Sequence, residues 1–78
     1  MNGMVYQVNR RKFDTSRKAM MYAYRVLKKD GMRIAIKQVS PYGIWYYGLL
    51  ARVGDTRILY RETYGKMIVS KDGSVRGI

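Results

Sequence analysis

Two groups of basic side chains in this sequence have the type and spacing to neutralise phosphate. Arg17, Lys18, Arg25, Lys28 and Lys29 fall on one arc of a helical stretch, beside Met21 and Tyr22, with no Glu among them. A solvated helix face ordinarily mixes Lys with Glu, because i,i+4 ion pairs stabilise it. The second group is Arg33, Lys37, Arg52, Arg57 and Arg61, joined by Tyr46. These residues recur at alternate positions of three strands, which predicts one open sheet face with five cations and no acid. Lys and Arg donate to phosphate oxygens, and the ring of Tyr46 offers a surface on which a base can stack. Arg52 and Arg57 are predicted to face each other across a ladder, which is unfavourable unless an anion lies between them. Gly48, on the same predicted face, either lets a phosphate backbone approach closely or permits a bulge.

Other chemistry is poorly supplied. The chain has no His and no Cys, so zinc and thiolate chemistry are excluded and general acid–base work would fall on a few carboxylates. Asp14 and Asp30 fit helix ends and Asp55 and Asp72 fit turns, which leaves no carboxylate pair for a magnesium site. Gly54 and Gly65 stand singly and form no phosphate-binding loop. The expectation is a non-enzymatic chain with no cofactor and no metal.

Sixteen Lys and Arg against five Asp and Glu give a net charge of +11 and a pI near 10.3. Arg10 to Lys37 carry ten of the basic residues and two acids, a net of +8, against +3 for residues 38–78. So much like charge destabilises the compact state and attracts polyanions. No apolar run is long enough to span a membrane, and no charged segment precedes an apolar one near Met1, so the expected location is the cytoplasm.

The elements that must position these residues follow from periodicity and turn signals. Residues 4–9 read as a first strand, followed by a basic turn at Arg10, Arg11 and Lys12. Asp14, Thr15 and Ser16 are N-cap candidates for a helix over Thr15 to Asp30, with Gly31 as its C′ residue. Ala19, Met20, Ala23, Val26 and Leu27 form its apolar stripe, bordered by Tyr24. Strands are predicted over Met32 to Val39, Ile44 to Val53 and Thr56 to Tyr64. Their turns are Ser40 to Gly43 and Gly54-Asp55. This register pairs Val53 with Thr56, Arg52 with Arg57, Leu50 with Leu59 and Gly48 with Arg61. On the other side it pairs Val39 with Ile44, Lys37 with Tyr46, Ala35 with Gly48 and Arg33 with Leu50.

The inner face then holds Met32, Ile34, Ile36, Trp45, Tyr47, Leu49, Ala51, Ile58, Tyr60 and Tyr64, with Glu62 awkwardly among them. The outer face holds the five cations with Ala35, Tyr46, Gly48, Leu50 and Leu59. A last hairpin runs from Met67 through a type I′ turn at Asp72-Gly73 to Val75. The fold class is α+β, one helix packed on a largely antiparallel sheet, in the order β-α-β-β-β plus a C-terminal β-hairpin, with residues 1–78 as one domain.

In architecture the three strands backed by one helix resemble small β-sheet DNA readers of the integrase-arm type, whose strands enter the major groove. In those proteins the helix follows the strands, whereas here it precedes them. A second helix, which an RNA-recognition fold requires, is missing. The leading expectation is a small nucleic-acid-binding domain, with double-stranded DNA ahead of RNA, held through phosphate contacts. The alternative is an interaction protein of a phage or mobile element that inhibits or modulates a larger nucleic-acid-handling complex by docking on its acidic or nucleic-acid-binding surface. Ile44 to Val53 is apolar on both faces, so the last hairpin, a partner or a second copy, as in a homodimer, is expected to cover part of the sheet.

Overall fold

The computed structural model describes residues 3–78. Its elements are β1 (Val5–Val8), β2 (Arg11–Phe13), α1 (Ser16–Val26), β3 (Arg33–Ser40), β4 (Gly43–Val53), β5 (Thr56–Arg61), β6 (Gly65–Val69) and β7 (Val75–Gly77). All seven strands join one antiparallel sheet in the order β2-β1-β3-β4-β5-β6-β7. The single helix packs on one face of it, the α+β arrangement expected from the sequence. One strand was missed. Asn9, at φ 55°, makes the first turn tighter than the predicted basic loop, and Arg11 and Lys12 return beside Val8 and Gln7.

Thr15 caps α1 with extended backbone, and its hydroxyl accepts from the Lys18 amide at 3.2 Å. The predicted stripe is the observed one: Ala19, Met20, Ala23 and Leu27 are fully buried against Val8, Ile34, Ile36, Leu50, Leu59 and Val69. The helix stops at Val26 rather than running on to Asp30. Sheet pairing ends it: Gly31 donates to the Arg52 carbonyl at 2.7 Å and Arg52 donates to the Met32 carbonyl at 2.9 Å. Those ladder bonds demand extended chain where the intrinsic preference was helical. Lys28 and Lys29 therefore sit on the connection to β3, beyond the helix.

The hairpin from β4 to β5 has the predicted register, with Val53 opposite Thr56, Arg52 opposite Arg57 and Leu50 opposite Leu59. Between β3 and β4 the register holds only near the turn, where Val39 faces Ile44 and Lys37 faces Tyr46. It then shifts by one residue, so that Ile36 faces Gly48, Ala35 faces Leu49 and Arg33 faces Ala51. Tyr47 is the extra residue of a β-bulge, and Gly48 beside it lets β5 approach closely. A Cβ on Gly48 would lie 2.8 Å from a methyl of Leu59 and 3.1 Å from the Tyr60 carbonyl.

A one-residue slip exchanges the faces of the rest of the bulged strand and of the strands paired beyond it, while β3 keeps its own. Ile34 and Ile36 share the helix side with Leu50 and Leu59, while Leu49, Ala51, Ile58 and Tyr60, all predicted for the core, lie on the opposite side. Arg52, Arg57 and Arg61 move the other way, from the predicted open face to the helix side. Glu62 and Tyr64, predicted for the inner face, are exposed in the turn between β5 and β6.

The last hairpin closes through Ser70, whose carbonyl accepts from Gly73 at 2.9 Å. Gly73 alone takes the positive φ, 86°, so the turn is not the predicted type I′. Gly73 is pressed against α1, where an added Cβ would fall 2.3 Å from the Arg17 carbonyl. Beside it Arg17 donates to the Asp72 carboxylate and to its carbonyl, both at 3.0 Å.

Candidate nucleic-acid interface

The sequence-predicted cations separate into three environments. In the first, Arg52 and Arg57 turn toward the end of α1, whose last carbonyls have no partner within the helix and carry the negative end of its dipole. Arg57 donates to the Leu27 carbonyl at 3.2 Å and stacks on Tyr24, 4.0 Å from the ring centre. Arg52 donates to the Lys28 carbonyl and to the Gly54 carbonyl, and its other terminal nitrogen stands 3.9 Å from Asp55. The like-charge pair across the ladder thus has its counter-charge inside the chain. Arg61 lies between Tyr47 and Tyr64, 4.0 and 4.6 Å from the ring centres, and donates to the Tyr47 carbonyl at 3.1 Å. All three arginines are half-buried.

The second environment is the outer side of α1 and the connection that follows it. Arg17 is tied to Asp72, and Lys18 forms an i,i+4 pair with Asp14 at 3.0 Å. The Lys18 ammonium lowers the pKa of Asp14 below the usual carboxylate value, first by hydrogen bonding and then by its charge. The Ser74 hydroxyl and amide lower that of Asp72, with Arg17 adding a smaller effect. Arg25, Lys28 and Lys29 are exposed, and no ion pair involves them among the described residues.

The third environment is the helix-free face. Arg33, Lys37 and Tyr46 remain there, as predicted, and all three are exposed. Lys12, Lys66, Arg76 and Tyr60, which the sequence reading left out, join them by register. A glycine in the middle of an apolar strand is the signal that could have placed Tyr60 here, since it marks a bulge.

Carboxylates are nearly consumed elsewhere. Asp14, Asp55 and Asp72 hold cations, and Asp30 accepts from the Gly54 amide. Among the described residues no three metal-ligating side chains come together. No helix is long and apolar enough to cross a membrane. Comparison with known protein families, curated proteins and solved structures gives no match for this chain.

Proposed function

We propose that this chain is a nucleic-acid-binding domain whose affinity comes from Lys and Arg neutralising phosphates and releasing counterions. One observation carries the reading. Among the described residues only three cations form ion pairs, so exposed basic residues from Arg10 to Arg76 surround the molecule without compensating acids. Arg52, Arg57 and Arg61, expected on the open sheet face, are bound to the chain's own carbonyls and rings, so the phosphate contacts of this reading fall to the remaining exposed cations. Titrating unrelated DNA and RNA across a salt series tests the proposal. The logarithm of the binding constant should fall linearly with that of salt, by about 0.7 to 0.9 per neutralised phosphate. An affinity independent of salt refutes it.

A second reading, docking on a partner protein, is favoured by the tip of the β3–β4 hairpin. Tyr42, Ile44 and Trp45 are 91%, 66% and 48% exposed there. Side chains of this kind anchor protein interfaces. Capture of a defined acidic partner from nuclease-treated lysate, lost on Trp45→Ala, would support this alternative.

A further inference from the structure

The helix-free face of the sheet is apolar along its middle and basic along both margins. Lys12, Gln7, Lys37 and Tyr46 stand side by side across β2, β1, β3 and β4. In the next row Leu49, Tyr60 and Lys66 follow across β4, β5 and β6, and the Lys66 ammonium is 6.0 Å from the centre of the Tyr60 ring. A third row begins at Arg33 and ends at Arg76, with Ala51, Ile58 and Ile68 between them. Tyr60 separates two depressions. One, of about 380 Å³, has Leu49 and Ala51 in its lining and Arg33 at its side. The other, of about 460 Å³, is bounded by Tyr46, Lys66 and Glu62.

Leu49, Ile58, Tyr60 and Ile68 are half-buried there and Ala51 is buried. A partly exposed apolar surface rimmed by polar groups marks an interaction site, and the charges decide what fits it. A second copy of the chain would bring one set of cations against another, with Glu62 as the one carboxylate lining the two depressions among the described residues. A duplex keeps the faces of its bases inside the stack and could use only the margins. An unpaired strand presents flat base faces and a phosphate backbone together. Aromatic rings interleaved with cations suit both parts. We infer that this face binds an unpaired nucleic-acid strand, with bases stacked on Tyr46 and Tyr60 and phosphates held by Lys37, Lys66 and Arg33. This rests on the nucleic-acid reading above and adds the form of the ligand.

The test compares a labelled oligothymidine, a labelled oligouridine and a DNA duplex of matched charge by fluorescence anisotropy at one salt concentration. Electrostatics alone favours the duplex, which has the higher charge density, so tighter binding of either single strand is the expected result. The tighter of the two single strands identifies DNA or RNA as the source. Tyr46 is 55% exposed, so Tyr46→Ala should leave the melting temperature near that of the parent. It should weaken single-strand binding by on the order of tenfold and leave duplex binding unchanged. Tyr60→Leu should act in the same direction, and Tyr42→Ala, at the distant hairpin tip, should have no effect. Preference for the duplex, or Tyr46→Ala and Tyr60→Leu both binding the strand as the parent does, overturns the stacking site while phosphate neutralisation stands. Failure to bind any of the three nucleic acids at low salt overturns both proposals.

Discussion

Replacing Arg57 by Ala removes a charged hydrogen bond to the Leu27 carbonyl and a guanidinium stacked on Tyr24 at the same point, where α1 meets β5. A hydrogen bond to a charged group contributes about 1.5–3 kcal/mol, and a partly desolvated cation–π contact about 0.5–2 kcal/mol. Both belong at the low end here, because the side chain is half-buried and its Nε is buried without a partner, a cost the parent already bears. A loss of about 2 kcal/mol is expected, against a total of roughly 4–12 kcal/mol for a chain this long. At about 4–8 °C per kcal/mol in domains of this size, Tm should fall by about 8–16 °C. Arg57→Lys should recover only part of this, since an ammonium has no planar fork to stack on the ring while donating to the carbonyl. Thermal unfolding followed by far-UV circular dichroism reads both variants. If Arg57→Ala melts within about 3 °C of the parent, less than one kcal/mol on that scale, the arginine is not the helix's C-terminal partner.

Other substitutions probe the remaining joints. Leu27→Asp places an unpaired charge at a fully buried position and should leave the chain unfolded, visible as loss of its cooperative melt. Gly73→Ala should lift the last hairpin from α1 and cost about 1–3 kcal/mol, read from urea denaturation, because the new Cβ meets backbone and φ is positive. The Asp72 pKa is lowered from 3.8, so its contribution is present above that value and is lost as pH falls through the lower folded-state pKa. The Gly73 amide should lose hydrogen-exchange protection in that acid range, and Asp72→Asn should abolish this dependence.

Much of the fold was legible because each signal was local. Thr15 capped the helix, the stripe from Ala19 to Leu27 set its phase, and the loop at Gly54-Asp55 fixed the partner of Arg52. What escaped was decided at a distance. The helix end yielded to ladder bonds between Gly31, Met32 and Arg52, which no propensity within residues 27–32 reveals. The face assignment turned on Gly48, whose two weighed meanings, close approach of a ligand or a bulge, have opposite consequences for every residue beyond it. The bulge proved correct, and it exchanged the environments of the arginines and the tyrosine. Arg33 and Lys37 kept their predicted face because β3 alternates without a break, the extra residue being in β4, and Tyr46 kept its own because it lies on the turn side of that residue.

The bulge at Tyr47 also makes β4 a splice of two half-strands running in opposite phase. Before it, odd-numbered positions such as Trp45 point to the helix side and even-numbered Tyr46 points away; after it, even-numbered Leu50 and Arg52 point to the helix side and odd-numbered Leu49 and Ala51 point away. A reader scanning the whole strand sees apolar residues in both frames and concludes that both faces are covered, when part of that impression is the join itself. A saturation-mutagenesis map of β4 would show the same break, with sensitivity alternating along the strand and skipping one beat at Tyr47. Deleting that single residue would bring the two halves into one unbroken alternation without changing a face, since Tyr46 and Gly48 already oppose the consecutive residues Lys37 and Ile36, so Leu50 and Arg52 should stay on the helix side and Leu49 and Ala51 away from it.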